Sequence, residues 1–155
     1  MSRPQVVITD FINPPLEHEQ RILGDIADLA ALNAYSEDDL VGRIEQAEAI
    51  MLYHFISLTR KTIDRLQRCK LIVRCGVGFD NVDRVAARER GIDVANVPDY
   101  GTEEVADSAI GMTLSLLRGV HYLNQRCQRG AGPWIYEQVR PLHRIRGQVF
   151  GIIGL

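Results

Sequence analysis

Five short apolar runs recur through the first 98 residues: 5–10 (QVVITD), 29–35 (LAALNAY), 48–53 (EAIMLY), 70–75 (KLIVRC) and 92–97 (IDVANV). Each has the length and apolar content of a strand buried on both faces. The second is the least strand-like, because alanine is a poor strand former. Helical spacing fills the intervals at 18–26, 36–44, 60–67 and 81–91. Ser36 stands where an N-cap is needed, with acids in the turn behind it. Thr59 is placed to cap 60–67, and Gly91 to stop 81–91. This alternation predicts an α/β fold, a parallel sheet flanked by helices on both faces.

The rhythm changes after Pro98. Residues 102–128 read as one long helix, roughly 40 Å at about 1.5 Å per residue. Thr102 is its expected N-cap, and Glu103 and Glu104 lie in its first turn. Val105, Ala109, Met112, Leu116, Val120 and Leu123 form one stripe, flanked by Ala106, Ile110, Thr113 and Leu117. So wide an apolar face exceeds what a small sheet covers and points to a second domain or subunit. Gly111 and Gly119 each cost about 1 kcal/mol inside a helix, and they read as sites of close packing. Residues 130–146 read as a connecting loop. The closing GQVFGIIGL reads as a new strand followed by Gly154, the first glycine of a G-x-G-x-x-G turn. The expected organisation is 1–98, a bridging helix and linker over 99–146, and the start of a truncated nucleotide-binding domain at 147–155.

Composition excludes some partners. The net charge is −2 with no dense Lys/Arg run, so no nucleic-acid surface is expected. No apolar run approaches membrane length, and the N-terminus lacks the pattern of a signal peptide. Cys69, Cys75 and Cys127 form no metal or disulfide spacing. They read as buried or half-buried free thiols in a reducing, cytoplasmic compartment.

The stretch most able to carry chemistry is VRCGVGFDNVD (73–83). A strand ends at Arg74, a glycine turn follows at Gly76, Val77 and Gly78, and a helix begins near Asn81. Free N–H groups at such a corner attract anions, and Arg74 adds a bidentate donor. Asn81 replaces the third glycine of a dinucleotide turn, and Asp80 and Asp83 bring negative charge. The corner therefore suits a small anion better than a pyrophosphate, and a plain strand–turn–helix corner is the alternative. Tyr53 and His54 follow the third strand, where parallel sheets line ligand crevices. By pattern alone His54, like His18, His121 and His143, is a structural or surface residue.

Three stretches, RCGVGFDNVD, GIDVANVPDYGTEEVADSAIGMTLSLLRG and RGQVFGIIGL, together resemble the D-isomer-specific 2-hydroxyacid dehydrogenases. The likeness is strong over 50–155. Within the family it is nearest to the C-terminal-binding-protein corepressors and their bacterial enzyme relatives, then to phosphoglycerate dehydrogenases. The resemblance implies a flavodoxin-like substrate domain, a Rossmann domain binding NAD, and interconversion of a 2-oxoacid and a D-2-hydroxyacid. It implies that Gly76, Val77 and Gly78 hold the substrate carboxylate by backbone N–H groups, with Arg74, Tyr53 and His54 facing the substrate. It places Val77, Val105 and Gly154 against the cofactor, and gives the 102–128 helix a role in a homodimer. The family's catalytic Arg, Glu and His match nothing in this chain, which is expected to be inactive alone. The alternative is a dehydrogenase-like corepressor or adaptor that binds peptides.

Overall fold

A computed structural model describes residues 3–154. Its backbone packing divides the chain into one unit up to Tyr100 and another from Gly101. The first unit contains β1 (Gln5–Ile8), α1 (Glu17–Leu23), β2 (Asp28–Ala31), β3 (Ala49–Leu52), α2 (Arg60–Ile63), β4 (Leu71–Arg74), α3 (Arg84–Glu89) and β5 (Asp93–Asn96). All strand pairs are parallel, in the order β2-β1-β3-β4-β5. This is the flavodoxin-like order, with its topological switch point between β1 and β3. All five runs read from the sequence are strands, including the alanine-rich one, which survives as an edge.

Burial follows sheet position. Ile8, Ile50, Leu52 and Ile72 on the three central strands are fully buried. Ile50, Leu52 and Ile72 share one core cluster with Leu40, Ile44, Ile63, Ala86 and Ala87 from the connections. The connections are shorter than their patterns suggest. Residues 36–44 give only a 3-10 turn at Glu37–Leu40. There the Asp39 carboxylate accepts the N–H groups of Tyr35 at 3.0 Å and Ser36 at 2.9 Å. Asp39 thereby closes a capping box on Ser36, which stands at the expected N-cap, and these bonds hold Asp39 below the usual carboxylate range. Thr59 does stand at the N-cap of α2, but its hydroxyl donates to Glu37 instead of capping the helix. Asp83, two residues beyond Asn81, caps α3 by accepting from Ala86 N–H at 2.9 Å. Gly91, at φ +69°, ends that helix as expected.

In the second unit the long helix is two helices, α4 (Thr102–Arg118) and α5 (Val120–Gln128). Gly119 breaks it in the left-handed region at φ +67°, where a side chain is strained. A Cβ there would also lie 2.8 Å from Val139 Cγ1. Gly111, by contrast, faces open space, so close packing explains neither glycine inside a continuous helix. Thr102 is the first helical residue and Gly101 takes the cap position. Neither helix buries a residue. Residues 147–154 form no strand: a strand needs a neighbour's ladder, and Val149 is 97% exposed. Among the described residues no helix is long and apolar enough to cross a membrane. The three thiols divide: Cys69 is buried, which pushes its pKa to about 11, Cys75 is half-buried, and Cys127 is exposed, against expectation.

Ile50 lies at the centre of the sheet with no solvent exposure. Ile50→Ala should cost about 2–5 kcal/mol, read as a lowered urea midpoint with unchanged slope.

Candidate functional site

The carboxyl ends of β1 and β3 bring two loops together at the switch point, and one carboxylate joins them. Asp10 is fully buried. Its Oδ1 accepts from the Thr9 hydroxyl at 2.7 Å and from Tyr53 N–H at 2.9 Å. Its Oδ2 accepts from the N–H groups of His54 at 2.8 Å and Phe55 at 2.7 Å. Three successive amides thus turn inward around one anion, which is the geometry of a backbone nest. The next residue, Phe11, has φ +70° and sits under an Ile12 N–H to Asp10 C=O bond of 2.8 Å. That is the strained form of γ-turn, rare for a bulky residue. The Phe11 ring meets Tyr53, His54 and Phe55 at centroid separations of 5.5, 5.1 and 5.9 Å. Tyr35 stacks beyond them on Phe55. Phe11, Tyr35 and Phe55 remain more than half exposed or nearly so, a rim of aromatic surface on the crevice.

Across the crevice, Arg74 ends β4. Its Nη2 lies 3.2 Å from His54 Nδ1 and its Nε 3.4 Å from Asn81 Oδ1. A guanidinium only donates, so Nδ1 is the acceptor and a neutral His54 carries its proton on Nε2. Asn81 Nδ2 donates to the carbonyls of Tyr53 at 3.1 Å and Ile56 at 2.8 Å. Among the described residues no carboxylate lies within ion-pair distance of Arg74. The guanidinium folds over Gly76: a Cβ there would lie 1.7 Å from Arg74 Nη1. Neither Gly76 nor Gly78 has positive φ, so a side chain at Gly76 meets no backbone strain and has only the flexible Arg74 guanidinium to displace. Gly76 N–H returns to Arg74 C=O at 2.8 Å. The N–H groups of Val77 and Gly78 have no acceptor among the described residues. Asn96 and Val97 hold the turn from below, through Val77 C=O and Gly76 C=O.

The Cys75 thiol donates to Val73 C=O at 3.7 Å and interacts with the Tyr53 hydroxyl. Burial pushes the Tyr53 hydroxyl well above its ordinary value, and Cys75 adds to the rise. Burial also raises the Cys75 thiol, against the opposing pull of Tyr53 and Arg74. Both stay neutral at neutral pH, so neither is a nucleophile or base.

Tyr53, His54, Arg74, Gly76, Val77 and Gly78 therefore lie on two loops in mutual contact at the carboxyl edge of the sheet. Val105 lies on α4 and Gly154 in the irregular tail, both in the second unit. Asp10 and Phe11 escaped the sequence reading, although Thr-Asp directly after an apolar run is a usable signal of a strand's carboxyl end. Asn81, read only as a missing glycine, is the bridge between the two loops. A dinucleotide needs a glycine turn opening onto a helix N-terminus. Residues 147–154 form neither strand nor helix, and Asp83 already caps α3. The described residues do not by themselves hold such a cofactor.

The architecture is that of an open parallel α/β domain with a cationic corner at the carboxyl edge of its sheet. The chain belongs to the D-isomer specific 2-hydroxyacid dehydrogenase family, whose catalytic-domain model matches residues 6–144. It is 28% identical over 151 residues to a D-3-phosphoglycerate dehydrogenase of Methanocaldococcus jannaschii, covering 97% of this chain and 28% of that protein. It is 33% identical over 159 aligned positions to C-terminal-binding protein 1 of Caenorhabditis elegans, covering 99% of this chain and 22% of that one. The crystal structure of an NADPH-dependent glyoxylate/hydroxypyruvate reductase from Sinorhizobium meliloti in complex with citrate superposes with a TM-score of 0.74. That match has 30% identity and covers 95% of this chain and 45% of the other. The chain thus spans less than half the length of each of these relatives.

Gly76→Ala tests the corner directly, because the new methyl must displace the Arg74 guanidinium. Stability should change by less than about 1 kcal/mol, since the backbone there suits alanine. Affinity for a small carboxylate such as oxalate should fall about ten-fold, or about 1.4 kcal/mol, by isothermal titration.

Proposed function

We propose that the first unit is the substrate domain of an oxidoreductase that interconverts a 2-oxoacid and a D-2-hydroxyacid. The observation that carries this reading is the Arg74 corner, a guanidinium without a carboxylate partner beside the two free N–H groups of Val77 and Gly78. A substrate carboxylate supplies the missing counter-charge and accepts those donors, which fixes its orientation. Asp80, whose Oδ1 lies 3.1 Å from where a Gly78 Cβ would stand, disfavours a group that concentrates two charges there, as a phosphate does. The exposed rings of Phe11 and Phe55 suit an apolar substrate side chain. Family membership supports the reaction class, and the relatives named as dehydrogenase and NADPH-dependent reductase support a nicotinamide nucleotide, NAD or its phosphate, as the hydride carrier.

On this reading residues 1–98 hold the acid, 99–146 lead away from it, and 147–155 begin the nucleotide-binding part. The 155 residues by themselves bind the acid without turning it over, because the family's Arg, Glu and His for carbonyl polarisation and protonation match nothing in them. The unburied faces of α4 and α5 suit a homodimer. Free thiols suit the cytoplasm. A second reading, a peptide-binding adaptor, draws on the likeness to C-terminal-binding protein 1 and on the same aromatic rim.

The protein with its nucleotide-binding part should oxidise NADH or NADPH with at least one 2-oxoacid of a panel, followed by absorbance. Arg74→Gln should raise KM about ten-fold or more, which is about 1.4 kcal/mol or more of lost binding. Peptide binding with no turnover of any 2-oxoacid would favour the adaptor. For the dimer, light scattering should give twice the chain mass. Leu116→Asp on the exposed face of α4 should return it to one chain mass while circular dichroism stays unchanged.

A further inference from the structure

We propose that Asp10 is a positioning residue of the acid-binding site, acting on Arg74 through the 53–55 loop. The inference rests on the anion-corner reading above. Two separate observations point the same way. Asp10 binds the N–H groups of Tyr53, His54 and Phe55. The adjacent Phe11, strained at φ +70°, lays its ring against the side chains of the same three residues. The end of β1 therefore grips this loop by both backbone and rings.

Simple turn-making would not need this arrangement. A fully buried carboxylate is costly unless every lone pair is used, and a strained aromatic is costly as well. Together they fix the rotation of three peptide planes. That rotation sends Tyr53 C=O to Asn81 Nδ2 and sets the His54 ring where its Nδ1 accepts from Arg74. Asn81 also accepts from Arg74 Nε. The guanidinium is thus aimed from two sides, and both sides depend on the orientation of the 53–55 backbone. Without Asp10 the three amides lose their acceptor, the planes turn, and Arg74 loses its His54 contact and its fixed position over Gly76.

The test uses oxalate as probe, with the Val77 and Gly78 amide resonances as reporters. Asp10→Asn keeps the volume but sets an NH2 donor against inward N–H groups. It should keep a dispersed spectrum and raise the oxalate dissociation constant about ten-fold. His54→Ala should weaken binding comparably. Adding Asp10→Asn to His54→Ala should cost clearly less than Asp10→Asn costs alone, because the His54 support is common to both. Independent, additive losses, or an Asp10→Asn variant that binds oxalate normally, would overturn the proposal while leaving the corner intact. No oxalate shift at Val77 and Gly78 in the parent protein would overturn the corner and the proposal together. If Asp10→Asn does not fold, the parent protein still decides the matter. By reciprocity of coupling, oxalate must slow hydrogen exchange at the Tyr53, His54 and Phe55 amides, and unchanged exchange there overturns the role of Asp10.

Discussion

The buried Asp10 carboxylate is the interaction on which the rest of the crevice depends. It lies where the sheet order reverses, so β1 and β3 are neighbours whose connections leave in opposite directions. That reversal opens a gap above the strand ends. Loops crossing such a gap expose N–H groups with no ladder to receive them, and unpaired backbone donors are expensive away from water. Here three of those donors converge on one side chain. The topology creates the unpaired donors, the carboxylate satisfies them, and the same solution fixes the loop that faces Arg74. Fold and site are linked at this one residue.

The sequence made the sheet legible for a simple reason. Strands buried on both faces must be apolar throughout, and a run such as KLIVRC cannot be hidden by context. The helices were less legible because start signals do not set length. The capping box of Ser36 and Asp39 opens a single turn that stops where Val41 turns extended, and Thr59 spends its hydroxyl on Glu37. Gly119 shows the same limit from another direction. Its helix propensity alone allows a kinked but continuous helix, and what decides the break is the left-handed backbone with Val139 beside it. The last segment has strand composition, and its described residues 147–154 form no strand. A strand is a property of a pair, and composition describes only one partner.

In the site, the glycine turn and Arg74 were readable because their chemistry is carried by residue type at fixed spacing. Asp10 and Asn81 were not, because both act across long stretches of chain. Asp10 meets a loop 43 to 45 residues away, and Asn81 one 25 to 28 residues away. Such partners become visible only when topology is known. Gly76 marks an intermediate case. The sequence shows a glycine and suggests a ligand approaching the backbone, whereas the structure fills that space with the Arg74 guanidinium.

That filling bears on how the corner selects an anion. The guanidinium lies over Gly76, the residue that leads in the chain to the Val77 and Gly78 donors. Because Gly76 has turned its own N–H back to Arg74 C=O, the corner offers two free amides rather than three. Two amides and one fork match the two oxygens of a carboxylate. A phosphate brings a further oxygen and a second charge, and here it would meet Asp80 at the turn's open end. The geometry thus discriminates by count and by charge. On the proposed reading a planar carboxylate is satisfied, while a tetrahedral phosphate would leave an acceptor unpaired beside a like charge, a difference that favours carboxylates by means of the empty positions as much as the filled ones.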